Sequence, residues 1–293
     1  MEGVVTLADL PEEVLALVVE LLVPPGRACR EWASRARVWR DLLALAATSS
    51  TLHTAATHPR LWTNFNMYGR YSLDRALAML ATRRLSGIQQ LHVLLREEGQ
   101  EPEQVEELLR LYVVRGRHAT SQDILRLGNL CLASLDPKVL AEAVANTWMV
   151  IIEPSANMTM DQMAAVLHRM VEGETRTEKL VCRKGSGDTF NPMEPSLVAR
   201  ALARVRHLEI ANKSEEERMS TEHLVALLTA MTERDNRLAS FSYMIPSDSP
   251  FGNCYPSLEG LEGEVARELV RGVREARWQI HYILPRVREA AGH

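Results

Sequence analysis

The chain has 293 residues, 46% of them hydrophobic and 25% charged, enough for one large or two ordinary soluble domains. The formal net charge is −4, which argues against a general nucleic-acid binder, because that class needs a basic excess to displace counterions from phosphates. Four cysteines (Cys29, Cys131, Cys182, Cys254) lie far apart, without metal-ligand or redox spacing, and read as buried or incidental thiols of a reducing compartment. The start Met1-Glu2-Gly3 carries no basic segment ahead of an apolar core, so no secretory signal is expected. The longest apolar run, 14–23, is interrupted by Glu20 and is too short to span a bilayer. The expectation is a cytosolic or nuclear protein with no membrane partner.

In chain order, Asp9 can cap a helix whose first turn holds Pro11, Glu12 and Glu13; proline and acids both suit that position. Val14, Leu15, Val18, Val19, Leu21 and Leu22 follow at helical spacing, and Pro24-Pro25-Gly26 stops the run. Residues 26–40 are arginine-rich and include Trp32 and Trp39; a solvated helix or loop, or a basic contact surface, would fit them. A second apolar helix starts at Asp41 and contains Leu42, Leu43 and Leu45. The segment His58-Pro59-Arg60-Leu61-Trp62 then makes a turn before a short final piece, 63–65.

These anchors resemble an F-box: Leu10-Pro11-Glu12-Glu13-Val14-Leu15, a proline turn, Asp41-Leu42-Leu43-Ala44-Leu45, then His58-Pro59-Arg60-Leu61-Trp62. In that family a three-helix module binds the Skp-type adaptor of a Skp–cullin–F-box ubiquitin ligase. The resemblance spans about residues 7–65, with 26–40 as an insertion longer than the family pattern. It implies that Leu10, Pro11, Val14, Leu15, Val18, Leu42, Leu45 and Trp62 form either the module core or the adaptor contact. A module this small cannot bury all its apolar residues within itself, so some must face another domain or a partner.

The remainder is self-similar. Asp136-Pro137 and Glu194-Pro195 each open an amphipathic helix, and each helix leads to a strand-like segment, 148–153 or 207–211, and then to a second cap and helix at Thr159 or Ser220. Pro137 to Pro195 is 58 residues and Thr159 to Ser220 is 61, so two helix–strand repeats make one double unit. Strands are expected over 91–95, 127–132, 150–152, 180–182, 208–210, 241–243 and 280–282. Helices are expected over 102–113, 137–145, 159–171, 195–205, 221–232 and 258–276. The kernel Leu127-x-x-Leu130-x-Leu132, repeated at Val205, Leu208, Ile210 and at Leu238, Phe241, Tyr243, is similar to degenerate leucine-rich repeats of the long, ribonuclease-inhibitor-like kind. That resemblance implies an α/β fold: an F-box-like module over 1–70, then a curved solenoid over 71–293 with a parallel sheet on its concave side. The last repeat, 258–285, would be the cap.

Alternation along such strands turns every second side chain outward. The outward set is Asn129 and Cys131; Met149, Ile151 and Glu153; Lys179, Val181 and Arg183; His207 and Glu209; Ser240 and Ser242. Met149, Ile151, Glu153, Lys179, Val181, Arg183, His207 and Glu209 are the candidate substrate contacts, an apolar centre with a charged rim of the kind protein interfaces show. A register slip of one residue would put the apolar members in the core instead.

Chemistry points the same way. No two of the nine histidines have the i, i+4 spacing of a helical zinc motif, the Lys184-Gly185-Ser186-Gly187-Asp188 loop lacks the lysine–hydroxyl ending of a phosphate loop, and no Gly-x-Ser-x-Gly elbow occurs. The expectation is a non-catalytic adaptor without cofactor or metal, its partners a Skp-type adaptor with its cullin complex and a protein substrate, and no nucleic acid. The alternative is a repeat scaffold or inhibitor that binds a protein partner through its concave face.

Overall fold

The structure is a computed structural model that describes residues 11, 14, 64–67, 90–95, 102–116, 123–127, 132–153, 158–183, 188–212, 218–244 and 256–292. Leu10, Leu15, Val18, Leu42, Leu45 and Trp62 lie outside the described residues, as do Asn129 and Cys131.

Strands alternate with helices along the chain. They run β1 Asn64–Met67, β2 Gln90–Leu95, α1 Pro102–Gly116, β3 Ile124–Leu127, α2 Pro137–Ala145, β4 Met149–Ile152, α3 Met160–Glu172, β5 Lys179–Cys182, α4 Pro195–Leu202, β6 His207–Ala211, α5 Thr221–Met231, β7 Ser240–Met244, α6 Gly263–Arg274, β8 Gln279–His281 and α7 Leu284–Ala290. Among the described residues, eight strands form one sheet in sequence order, every neighbouring pair parallel. Parallel neighbours need a crossover, and from β2 onward a helix supplies each one. The result is a solenoid-like α/β stack.

Register sorts the strand residues into rows. Leu125, Val150, Leu180, Leu208, Phe241 and Ile280 stand in one row, and Leu127, Ile152, Cys182, Ile210 and Tyr243 in the next but one. All are buried in one core with the inner faces of the helices, including Leu108, Leu140, Leu167, Val198, Leu227, Leu269 and Val287. No single helix–strand pair could bury both its surfaces; stacking does it.

The double unit is visible in the caps. Helices α2 and α4 begin acid–proline: Asp136 Oδ1 accepts from the Lys138 N–H at 2.8 Å, and Glu194 Oε2 accepts from the Leu197 N–H at 2.8 Å. Helices α3 and α5 begin with hydroxyl caps. Thr159 and Gln162 form a reciprocal capping box, satisfying two backbone donors at once. The fully buried Gln162 also donates through Nε2 to the Leu135 carbonyl at 2.8 Å, tying α3 back to the turn before α2. His223 plays the equivalent part in α5. Its Nε2 lies 3.0 Å from the Met193 carbonyl, which can only accept, so Nδ1 is the acceptor for the Ser220 hydroxyl at 2.6 Å.

Three boundaries differ from the expectation. The third strand is Ile124–Leu127, not 127–132; the chain from Leu132 to Ser134 is a 3-10 turn, with Leu135 buried behind it. Leucines at 125 and 127 repeat the alternation that the sequence also offers at 130 and 132, and Leu125 and Leu127 are buried. Strand β1 begins at Asn64 and joins the sheet within the stretch read as the end of the N-terminal module. The chain does not finish its structure at Pro285: that proline lies in the first turn of α7, where its missing N–H costs nothing, and Ile283 and Val287 close the core.

Candidate functional site

The sheet face away from the helices carries two rows. Ile124, Met149, Lys179, His207, Ser240 and Gln279 form the first; Arg126, Ile151, Val181, Glu209, Ser242 and His281 form the second. Glu153 and Arg183 extend the same face past the ends of β4 and β5. Their N–H groups continue the ladder, donating to the Leu127 carbonyl at 2.8 Å and the Ile152 carbonyl at 2.9 Å. Met149, Ile151, Glu153, Lys179, Val181, Arg183, His207 and Glu209, drawn from three strands, therefore share one face.

Their exposure is uneven. Ile151 is 8% and Val181 4% exposed, yet neither belongs to the helix-side core. The aliphatic centre is thus buried on the open side of the sheet, while charged residues stand above it. Arg126 Nε donates to Glu153 Oε1 at 2.6 Å, and Arg183 Nη1 lies 3.7 Å from the same oxygen. Lys179 Nζ lies 3.7 Å from Glu209 Oε2 on the next strand, an ion pair too long for a hydrogen bond. His207 is exposed and Met149 half-buried.

Two members of this face, Ile124 and Arg126, fall outside the strand expected over 127–132, which begins three residues later than β3. The signal was present as Ile124-Leu125-Arg126-Leu127, a period-2 alternation as good as the one that followed it.

Of the residues assigned to the adaptor contact, Pro11 and Val14 are described. Both are exposed, Val14 at 39%, and the Val14 N–H donates to the Pro11 carbonyl at 3.0 Å.

At the C-terminal end of β6 and β7 a buried polar pair stands apart from the face. Burial pushes the Tyr243 phenol up to about 12, more than the nearby Asn212 side chain and Met219 backbone pull it down. Among the described residues neither the Tyr243 hydroxyl nor Asn212 Oδ1 meets hydrogen-bond geometry with any partner. Cys182 is buried in the row facing the helices. Among the described residues no group of three or more His, Cys, Asp or Glu is placed to hold a metal ion, and no helix is long and apolar enough to cross a membrane.

The class defined by these features is an α/β protein built as a stack of helix–strand units, with one face of its parallel sheet left uncovered by the described helices and carrying mixed aliphatic, polar and charged side chains. No protein-family model matches the chain, and no curated protein matches it.

Proposed function

We propose that the chain is the substrate-recognition subunit of a Skp–cullin–F-box ubiquitin ligase. In this reading an N-terminal F-box grips the Skp-type adaptor, and degenerate leucine-rich repeats hold a protein substrate on the concave face of the sheet. The observation that carries the substrate half is the open face itself: Met149, Glu153, Lys179, Arg183, His207 and Glu209, from three strands separate in sequence, stand at least partly exposed on one side of the sheet around the buried Ile151 and Val181. The adaptor half rests on the resemblance of residues 7–65 to an F-box.

The chain itself performs no bond chemistry in this scheme. Holding a substrate lysine near a charged ubiquitin-conjugating enzyme raises the effective concentration of the reacting groups, and that is the catalytic contribution.

The test is a double substitution, Leu10→Asp with Leu15→Asp, in the full chain. Co-purification of the adaptor should be lost while the thermal melt and far-ultraviolet circular dichroism of the repeats are retained. Undiminished adaptor capture by a folded double variant overturns the reading. Affinity purification with the proteasome and cullin activation blocked should then enrich the adaptor, the cullin and the substrates.

A further inference from the structure

We propose that the open face selects an anionic segment of its protein partner, with Arg126 and Lys179 as the principal contacts. This inference rests on the reading of that face as the substrate surface.

The charges there are not evenly presented. Glu153 is recessed, its side chain 17% exposed, while the two guanidiniums beside it stand higher, Arg126 at 36% and Arg183 at 48%. Around Glu153 an approaching partner meets cations first, whereas Lys179 and Glu209 are equally exposed, at 35% and 36%. Among the described residues Arg126 commits only Nε, to Glu153, which leaves its terminal nitrogens as donors. Lys179 is near Glu209 but not hydrogen-bonded to it, so its ammonium donors are also available. The chain as a whole carries a net charge of −4. Yet the described open face sets Arg126, Lys179 and Arg183 against Glu153 and Glu209.

Geometry limits the ligand further. Arg126 and Lys179 stand on β3 and β5, two inter-strand spacings across and, because Arg126 is level with Val181, two residues along the strands, about 12 Å in all. An extended chain covers that distance in roughly three to four residues. The fitting ligand is a short extended run with acidic groups two to four residues apart, seated over the buried Ile151–Val181 floor. The acidic groups are carboxylates or phosphorylated side chains; both offer the charged oxygens that guanidinium and ammonium donors pair with.

The experiment uses the full chain and fluorescence anisotropy at low and moderate salt. The probes are labelled twelve-residue peptides of alternating sequence: Glu-Ala, phosphoserine-Ala, Gln-Ala and Lys-Ala, with a mixed-sequence single-stranded DNA as a polyanion control. The Glu-Ala or phosphoserine-Ala peptide should bind at least about tenfold more tightly than Gln-Ala, and whichever is tighter identifies the anion. Arg126→Gln with Lys179→Gln should remove most of that difference. Arg126→Glu with Lys179→Glu should transfer the preference to Lys-Ala.

Equal binding of Gln-Ala and Glu-Ala, DNA binding as tight as the best peptide, or a double variant with undiminished preference each overturns the proposal. Adaptor capture by the same variants is measured in parallel. If capture persists while peptide selectivity is absent, only the anionic preference falls; if wild-type capture is absent, the ligase reading falls.

Discussion

Glu153→Gln is the sharpest single perturbation of the open face. The substitution keeps the side chain's shape and leaves an acceptor oxygen for Arg126 Nε, now 2.6 Å from a carboxylate. What it removes is the charge. A hydrogen bond to a charged group contributes about 1.5–3 kcal/mol and a neutral one about 0.5–1.5 kcal/mol, so the first contact loses about 1 kcal/mol. Arg183 at 3.7 Å adds about 1 kcal/mol of attraction at the dielectric of water, discounted because its side chain is 48% exposed. The expected cost is about 1–2 kcal/mol of unfolding free energy. Urea titration of wild type and variant at low and high salt measures it, and salt should shrink the cost only in part, since Glu153 is 17% exposed. Affinity for an acidic peptide should move the other way and rise severalfold, because the variant deletes the acid closest to both arginines. A cost below about 0.3 kcal/mol at low salt would mean that the Arg126–Glu153 pair does not persist in solution, and the argument from recessed acid and raised cations would go with it.

The remaining predictions concern the scaffold. Gly272→Ala in α6 would place a Cβ 2.2 Å from Cε3 of Trp278, so overpacking of about 1–3 kcal/mol should outweigh the ~1 kcal/mol gain in helix propensity; a higher melting temperature would refute the close packing of α6 on Trp278. Gln162→Leu should cost at least about 2 kcal/mol, because it leaves the Leu135 carbonyl and the Thr159 N–H without their partner; a neutral result in chemical denaturation would show that water replaces both bonds. Tyr243 has a folded-state pKa raised from 10.0 to about 12, so the unfolded state loses its proton first and stability falls as pH rises through that interval. The loss is on the order of 2–3 kcal/mol, and Tyr243→Phe should flatten the stability–pH curve between pH 10 and 12 relative to wild type. Val181→Ala should lower stability by about 1–2 kcal/mol and leave peptide selectivity unchanged; a selective loss of binding at constant stability would return Val181 to the contact surface.

The stack was legible because its signals are local and repeated. Asp136-Pro137 and Glu194-Pro195 announce helices through two independent preferences, a capping acid and a proline at the first turn, and both helices start there. Leu208-x-Ile210 and Phe241-x-Tyr243 alternate cleanly, so their strands and faces follow from the period alone. The third strand was misplaced because two overlapping leucine alternations compete there. The pairing partners decide between them, and Leu125 and Leu127 are the residues that meet Val150 and Ile152. The exposure of the candidate site was not legible for a related reason. Sequence assigns Ile151 and Val181 to a face, but only the packed neighbours decide whether that face reaches solvent there.

That last distinction changes what the face can recognise. Strands buried on both sides read as continuous apolar runs, whereas strands with one wet side alternate. β4, Met-Val-Ile-Ile, and β5, Lys-Leu-Val-Cys, approach the first type; β6, β7 and β8 alternate like the second. The open face is therefore two surfaces. Over β3 to β5 an aliphatic pair is already sheltered, and what remains to a partner is the half-buried Ile124 and Met149 and the charge of Arg126, Glu153, Lys179 and Arg183. Over β6 to β8 the outward residues are His207, Glu209, Ser240, Ser242, Gln279 and His281, polar and without an apolar anchor. Affinity built on a hydrophobic centre would require Ile151 and Val181 to be uncovered on binding, and nothing in their 8% and 4% exposure favours that. Specificity carried by charge placement needs no such rearrangement. It also predicts association that weakens with salt, in contrast to an interface anchored by buried aliphatic side chains.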